Sequence, residues 1–291
     1  MANAILQGIF LGAFYAVLAC GLSLMFGVMR IINLAHGDIA VLGAYIVLVI
    51  VQGTGMSPLV GFVVALPVMI ALGYVLQLTV LERALKSGLL TPLLATFGLS
   101  IVIQNLLLLK FSPDVHSLGA SAGALTTESW NVFGGVTIPA LGLVVLAVAV
   151  VVYGALQLYL SRTRSGWRMR ATAEDPDAAE LAGIDSRHVY ARATAIAVAI
   201  AALGGLFLAL RSVFDPVSGP TQLIFAFEAV VIGGMGSLWG TLLGGLALGV
   251  AQTLGAQLNP EYAALSGHVL FLVVLVLRFG GIRYARGGAR A

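Results

Sequence analysis

The sequence is poor in charged residues, which occupy 9% of its 291 positions. A soluble domain carries about 25%. Here 60% of the residues are hydrophobic and the mean hydropathy is +1.04, more apolar character than one water-soluble core can bury. The apolar runs are continuous rather than alternating, and about 20 helical residues cross a bilayer. The composition therefore predicts an all-α polytopic membrane protein and argues against a β-barrel.

Residues that nucleotide and metal sites need are also scarce. The two lysines, Lys86 and Lys110, each follow a leucine, whereas a P-loop requires Gly-Lys-Ser or Gly-Lys-Thr. The chain therefore has no ATP-hydrolysing site of that kind. The four histidines are far apart and Cys20 is the single cysteine, so neither a metal site nor an intrachain disulfide is expected. The net charge of +3 is too small to indicate a nucleic-acid partner.

A catalytic serine is weakly suggested and not supported by its context. "GASAG" at 119–123 matches Gly-x-Ser-x-Gly, a motif that requires a strand, a turn and a helix around the serine. Ser121 instead lies in a loop rich in glycine, alanine and serine. An intramembrane serine protease with His268 as the base is formally open, but nothing places the two residues together. We therefore predict that the chain is not an enzyme.

Basic residues cluster in three places: near Arg83, between Arg162 and Arg192, and from Arg278 to Arg290. By the positive-inside rule these regions are cytoplasmic. The segment 111–136 contains no lysine or arginine and suits the outer side. The N-terminus is then outside and the C-terminus inside, with about eight to ten membrane helices. The count depends on whether the glycine-rich interruptions at 27–37 and 233–245 are loops or breaks within helices.

Glycine is abundant, at 36 of 291 residues. Small residues recur at every fourth position in two sets: Gly8, Gly12, Ala16 and Cys20, and Gly236, Gly240 and Gly244. Such stripes let helix backbones approach closely in lipid. We expect packing within the chain, with contact between subunits as the alternative.

The largest water-soluble segment extends over residues 162–192. Asp175 suits an N-cap, Pro176 the first helical position and Gly183 the left-handed residue after the helix, which predicts about two helical turns. A helix this short is ordered only by docking on something. From these residues alone, another protein and the chain's own cytoplasmic ends are equally good partners. The face that would dock consists of Ala178, Ala179, Leu181 and Ala182.

His36, Asp38 and Glu228 are ionisable residues within apolar segments, and Gln104 is a polar residue within another. Such residues are costly in lipid and are functional candidates by default. A helix that begins near Asn33 at a break would offer its free N–H groups to a carboxylate, and it would point His36 and Asp38 in different directions.

In an equally weighted alternative to that arrangement, Asn33 caps a helix at the membrane edge. Asp38 would then pair with Arg30 at that edge, and neither residue would contact a transported solute.

Four segments carry a family resemblance: "FGVMRIINLAHGDIAVLGAY" (26–45), "TPLLATFGLSIVIQN" (91–105), "GWRMRATAEDPDAAELAGI" (166–184) and "AVVIGGMGSLWGTLLGG" (229–245). In order and spacing they resemble the permeases of branched-chain amino acid ABC importers, and among these the LivH-like subunit. The resemblance implies a single transmembrane permease domain over 1–291 in a bacterial inner membrane, with residues 162–192 as the cytoplasmic coupling loop.

The resemblance also implies partners. These are a LivM-like second permease subunit, two cytoplasmic ATPase subunits that bind ATP and Mg²⁺, and an extracytoplasmic solute-binding protein. The chain itself is expected to hold no cofactor. Relatives with this pattern carry amides, urea, aromatic acids and other small solutes, so the substrate is left open.

The family resemblance, together with the polar and helix-capping residues described above, implies two sets of site residues. The expected substrate pathway comprises Asn33, His36, Asp38, Thr96, Gln104, Glu228, Gly233, Gly234, Gly236 and Ser237. The expected ATPase-coupling set comprises Arg168, Arg170, Glu174, Asp175, Pro176, Asp177, Ala178, Ala179, Glu180, Leu181, Ala182 and Gly183. The competing class is a secondary transporter or channel driven by an ion gradient. Two features of the sequence argue against it: the predicted membrane helices contain few acidic residues, and no inverted pair of ion-binding helices is recognisable.

Overall fold

The computed structural model describes residues 1–88, 90–132 and 136–287, which form a helical bundle with one small β-hairpin. Among these described residues, seven helices are long and apolar enough to cross a membrane. They are α1 (Ala2–Met29), α2 (His36–Thr54), α3 (Pro58–Leu76, continued by a π-helical turn Gln77–Leu81 and α4, Glu82–Leu85), α5 (Thr91–Phe111), α7 (Ala140–Arg162), α10 (Ser186–Arg211) and α12 (Leu238–Leu258). Two shorter apolar helical segments are α11 (Gly219–Gly233) and Tyr262–Arg278, which is the first part of α13 (Tyr262–Gly287). The prediction of an all-α polytopic membrane protein is confirmed.

Short elements lie at both ends of the bundle. At one end are the 3-10 turn Ala120–Ala122, α6 (Ala124–Thr127) and a hairpin of β1 (Ser129–Val132) and β2 (Val136–Pro139), in which Trp130 pairs with Ile138. Residues 129–132 and 136–139 therefore form a hairpin that immediately precedes α7. At the other end are α8 (Arg164–Glu174) and α9 (Pro176–Leu181).

Contacts between helices show which connections share an end. Gln7 donates to the carbonyl of Thr137, and the amide of Leu118 donates to the carbonyl of Ala209, so residues 111–132, residues 136–139 and the C-terminal end of α10 lie at the same end of the bundle as the N-terminus. The opposite end carries Arg83, the segment 162–192 and Arg278, and we call it the inner end because the positive-inside rule makes it cytoplasmic. Of the predicted C-terminal basic cluster, Arg290 lies outside the described residues.

Small residues let α1 occupy the centre of the bundle. Gly12 lies directly against the backbone of Gly245 in α12, where an added methyl group would overlap the carbonyl. The first predicted stripe therefore packs within the chain, as expected. The second prediction is partly wrong, because α12 begins at Leu238 and Gly236 precedes it; Gly240 packs against Gly233 instead.

Two helices begin inside the bundle. Residues 30–35 break the chain between α1 and α2, and residues 212–218 break it between α10 and α11. The first turns of α2 and α11 touch, since Gly37 lies against the carbonyl of Gly219. From there α2 proceeds to the outer end and α11 to the inner end. The chain therefore contains an inverted pair of interrupted segments that is not recognisable from its sequence. The second predicted interruption is a tight turn at 234–237 between α11 and α12.

Candidate substrate pathway and coupling segment

Asp38 lies in the first turn of α2 and is 1% exposed. Its Oδ2 accepts a hydrogen bond from Ser100 Oγ at 2.6 Å, and its Oδ1 accepts one from Gln104 Nε2 at 3.0 Å. Both donors are on α5. The alternative in which Asp38 pairs with Arg30 at the membrane edge is wrong, because Arg30 ends α1 in a left-handed conformation and makes no ion pair with Asp38.

The position of Asp38 has an electrostatic reason. The first N–H groups of a helix are unpaired and carry a partial positive charge, which a carboxylate stabilises by about 0.3–1 kcal/mol and more when partly buried. Asp38 sits at the start of α2 and directly against Gly219 at the start of α11. The negative charge of this one carboxylate therefore lies beside two helix N-termini, and it offsets the repulsion between their partial positive charges. Gly219 has no side chain, and this permits the approach.

His36 and Asp38 point to different partners, as predicted. His36 is fully buried and its Nε2 lies 2.9 Å from the carbonyl oxygen of Leu18 in α1. A carbonyl only accepts, so Nε2 carries the proton and donates. Among the described residues, Nδ1 of His36 has no partner. α2 begins at His36 rather than near Asn33, and the Asn33 side chain accepts from the amide of Ala35 at 3.0 Å to close the preceding turn.

A polar stripe on α5 joins these residues. Thr96 accepts a hydrogen bond at 3.1 Å from the amide of Leu34, in the break before α2. Ser100 and Gln104 follow at intervals of four residues and bind Asp38. Ser100 was not among the predicted pathway residues, although the four-residue spacing on one helix face was a usable signal. The structure thus joins Asp38, Ser100 and Gln104 in one hydrogen-bonded network, while Thr96 and Asn33 bind the backbone amides of Leu34 and Ala35 in the break before α2.

Glu228 belongs to a different network. Its Oε1 accepts from His268 Nδ1 of α13 at 2.5 Å, and the side chains are 5% and 42% exposed respectively. Phe225 stacks on the His268 ring at 6.0 Å and also contacts Tyr15 of α1. His268, absent from the predicted pathway set, is therefore paired with a carboxylate and not with Ser121, which lies in the 3-10 turn at the outer end.

The glycine-rich turn is explained by backbone geometry. Gly234 and Gly236 have φ values of 99° and 84°, which side chains disfavour. Ser237 caps α12 by accepting from the amide of Gly240 at 3.2 Å. Gly236 lies nearest Gly27 of α1, at the inner end. The predicted residues Gly233, Gly234, Gly236 and Ser237 therefore lie apart from the network around Asp38.

The predicted short helix of the coupling segment is confirmed as α9. Asp175 Oδ1 accepts from the amides of Asp177 and Ala178, both at 3.0 Å. At the other end Gly183 has φ 79°, and the amide of Ile184 donates to the carbonyl of Ala179 at 3.0 Å. This is the Schellman termination that the glycine predicted.

The predicted docking face of α9 is divided. Ala179 is 5% exposed and packs against the chain itself, whereas Leu181 is 92% exposed. The prediction that Ala179 presents itself to a partner is therefore wrong. Just upstream, Met169 of α8 is fully buried and anchors that helix. Exposed members of the predicted coupling set are Arg168, Arg170, Glu174, Asp175, Pro176, Asp177, Ala178, Glu180, Leu181, Ala182 and Gly183.

Asp185 links the coupling segment to α10. It caps that helix by accepting from the amide of His188 at 3.2 Å, and its second oxygen lies 2.8 Å from the imidazole Nδ1 of His188. These hydrogen bonds hold the pKa of Asp185 below its ordinary value. The carboxylate is therefore ionised at neutral pH and α10 begins at a fixed point.

A polytopic helical bundle with interrupted helices that meet inside it, and with a small helical segment outside it, defines the class of membrane transport proteins. Residues 4–277 match the family model described as branched-chain amino acid transport system / permease component. The chain belongs to this family. It is a multi-pass inner-membrane permease and not an enzyme.

Similar proteins agree with this assignment. The chain is 32% identical to the high-affinity branched-chain amino acid transport system permease protein BraD of Pseudomonas aeruginosa, over 96% of this chain and 94% of the relative. It is 31% identical to the corresponding permease LivH of Escherichia coli K12, over 95% and 93%. It is 28% identical to the fructose import permease protein FrcC of Rhizobium meliloti, over 84% and 69%.

Proposed function

We propose that this chain is the permease subunit of an ATP-driven ABC importer that carries branched-chain amino acids or related small polar solutes into the cytoplasm by alternating access. Membership of the permease family supports the transport role, and the absence of a P-loop requires ATP hydrolysis in other chains. The observation that carries the proposal is Leu181, a 92% exposed leucine on an ordered two-turn helix at the inner end. A leucine presented by a helix can serve as the buried anchor of that helix in the groove of a partner protein.

The proposed partners follow from this role. Two cytoplasmic ATPase subunits would bind ATP and Mg²⁺, an extracytoplasmic binding protein would deliver the solute, and a LivM-like permease would complete the membrane portion. All of residues 1–291 would act as one transmembrane domain, with 162–192 as its coupling loop. The names BraD and LivH support the amino-acid substrate, whereas FrcC shows that a similar chain imports a sugar.

A mechanical route connects the coupling segment to the interior. α9 rests on the chain through Ala179, and α10 follows directly after the Asp185 cap. α10 then crosses the bundle and packs closely on α2, where Gly205 lies against the carbonyl of Ala40. Close-packed helices move as rigid bodies. A displacement of α9 by the ATPases would therefore reach the starts of α2 and α11.

The proposed pathway residues are Asn33, His36, Asp38, Thr96 and Gln104, with Glu228 and the turn at Gly233, Gly234, Gly236 and Ser237 as secondary contacts. Asn33, His36, Asp38 and Thr96 are each at most 1% exposed. A solute would reach them only after α2 and α11 separate. Their contribution would be transient polar contacts, with most of the affinity in the binding protein.

The test is Leu181→Arg in the reconstituted complex of permeases, ATPases and binding protein. We expect ATP-dependent uptake to fall roughly tenfold, as when one buried interface anchor is lost. Leu90→Arg is the matched control, because Leu90 is also highly exposed at the inner end but lies outside the coupling segment. Unchanged uptake with normal assembly would refute the docking role. Uphill transport by the isolated chain, driven by an ion gradient without nucleotide, would favour the secondary transporter.

A further inference from the structure

A cavity of about 220 Å³ lies at the outer end between α1, α7 and α10. Its volume is that of roughly seven water molecules, which suits a small organic solute. Three aromatic rings form much of its wall: Phe10, Phe14 and Phe207. Pro139 at the end of the hairpin and Thr126 of α6 also line it. The cavity lies apart from the network around Asp38.

Arg211 supplies the charge of this cavity. It is the last residue of α10, and its guanidinium lies 5.7 Å from the centre of the Phe14 ring. Among the residues that the structure describes, one lysine–glutamate ion pair and two histidine–carboxylate contacts occur, and Arg211 takes part in none of them. The undescribed positions 89, 133–135 and 288–291 contain no aspartate or glutamate. A guanidinium at an apolar cavity is therefore left without a carboxylate from an acidic side chain.

The chemistry of this arrangement selects a ligand class. Guanidinium presents a planar fork of donors that matches a carboxylate in a bidentate geometry. The phenylalanine rings would cover an aliphatic chain attached to that carboxylate. Gln7 lines the same cavity, and because its Nε2 donates to the carbonyl of Thr137 at 2.8 Å, its Oε1 is the atom available to accept from an ammonium group. One arginine without further cations does not suit a polyanion.

We propose that the cavity beside Arg211 binds the carboxylate end of a small aliphatic solute at the outer end of the permease, ahead of the pathway. This deepens the proposed function, on which the identity of the solute as an amino acid rests. The binding itself needs neither nucleotide nor the binding protein. The competing occupant of Arg211 is an acidic side chain of the binding protein.

The experiment uses the assembled complex in nanodiscs without nucleotide or binding protein, with 4-methylpentanoate as the probe and 4-methylpentan-1-ol as its uncharged counterpart. Binding is measured by saturation-transfer NMR with a titration. We expect the carboxylate to bind and the alcohol to bind much more weakly. Arg211→Gln should weaken carboxylate binding roughly tenfold or more, and Arg211→Lys, which keeps the charge but loses the fork, should fall between.

Lys110→Gln is the matched control. Lys110 is also a cation at the outer end beside an aromatic ring, 5.6 Å from the centre of Phe111, but it does not line this cavity. Its loss should leave carboxylate binding unchanged, and thermal unfolding of each variant verifies the fold. Equal binding of carboxylate and alcohol, or equal binding by wild type and Arg211→Gln, would overturn the proposal. The proposal would also be overturned if Arg211→Gln lost binding of the solute-binding protein but kept binding of the carboxylate. If ATP-driven transport stayed normal in any of these cases, the proposed function would be unaffected.

Discussion

Two regions, the junction of α2 with α11 and the coupling loop at 162–192, are held in place by different kinds of contact. At the junction, Asp38 is held by Gln104, 66 residues away, and lies against Gly219, which is more distant still in sequence. In the coupling segment, Asp175 is bonded to amides two and three residues ahead. The first region therefore depends on how helices pack, and the second on local rules of capping. Substitutions should spread their effects in the first region and confine them in the second.

The largest effect is expected from Gly219→Ala. An added methyl group would overlap the Asp38 side chain, so the starts of α2 and α11 would have to separate. Overpacking of this kind costs about 1–3 kcal/mol. We expect a clear drop in the thermal unfolding temperature of the purified complex and loss of uptake. The control is Gly98→Ala in the exposed part of α5, where an added methyl group meets nothing within 4 Å. Equal stability of the two variants would show that the junction is loosely packed.

Asp38→Ala should have the next largest effect. It leaves the buried Ser100 hydroxyl without its acceptor, at about 1–3 kcal/mol. It also removes one of the two acceptors of the partly buried Gln104 amide, and the anion from two helix N-termini. Asp38→Asn keeps one acceptor oxygen and should fall between Ala and wild type. We expect uptake to be impaired while the complex stays assembled, as judged by size-exclusion chromatography with a transport assay. Wild-type transport by Asp38→Ala would reduce the residue to a structural cap.

The sequence was sufficient where structure is local. The start and end of α9 follow from Asp175, Pro176 and Gly183, because each acts on backbone groups within a few residues. The divergence of His36 and Asp38 follows from helical periodicity alone. The four-residue spacing of Thr96, Ser100 and Gln104 likewise places these three polar side chains on one face of α5.

The rest depends on contacts between distant segments. Gly219 is one of 36 glycines, and nothing near it in sequence marks it as the neighbour of Asp38. The partner of Glu228, His268, lies 40 residues ahead on another helix. The burial of Ala179 depends on the same kind of contact, because periodicity gives the faces of a helix but the fold decides which face is covered.

The smallest effect on the unfolding temperature is expected from Asp175→Ala, which should change only the coupling loop. Loss of an N-cap costs about 1 kcal/mol. Because α9 is a helix of only six residues, this loss should be enough to unfold it part of the time. We expect faster hydrogen exchange of amides 177–184 and reduced ATP-dependent uptake, while the unfolding temperature of the bundle stays unchanged because α9 unfolds on its own. Asp177→Ala is the control, since its side chain is exposed in the same turn but caps no amide. A fall in the global unfolding temperature as large as that of Gly219→Ala would mean that the coupling segment is part of the same cooperative unit as the interior, and the distinction between the two regions would fail.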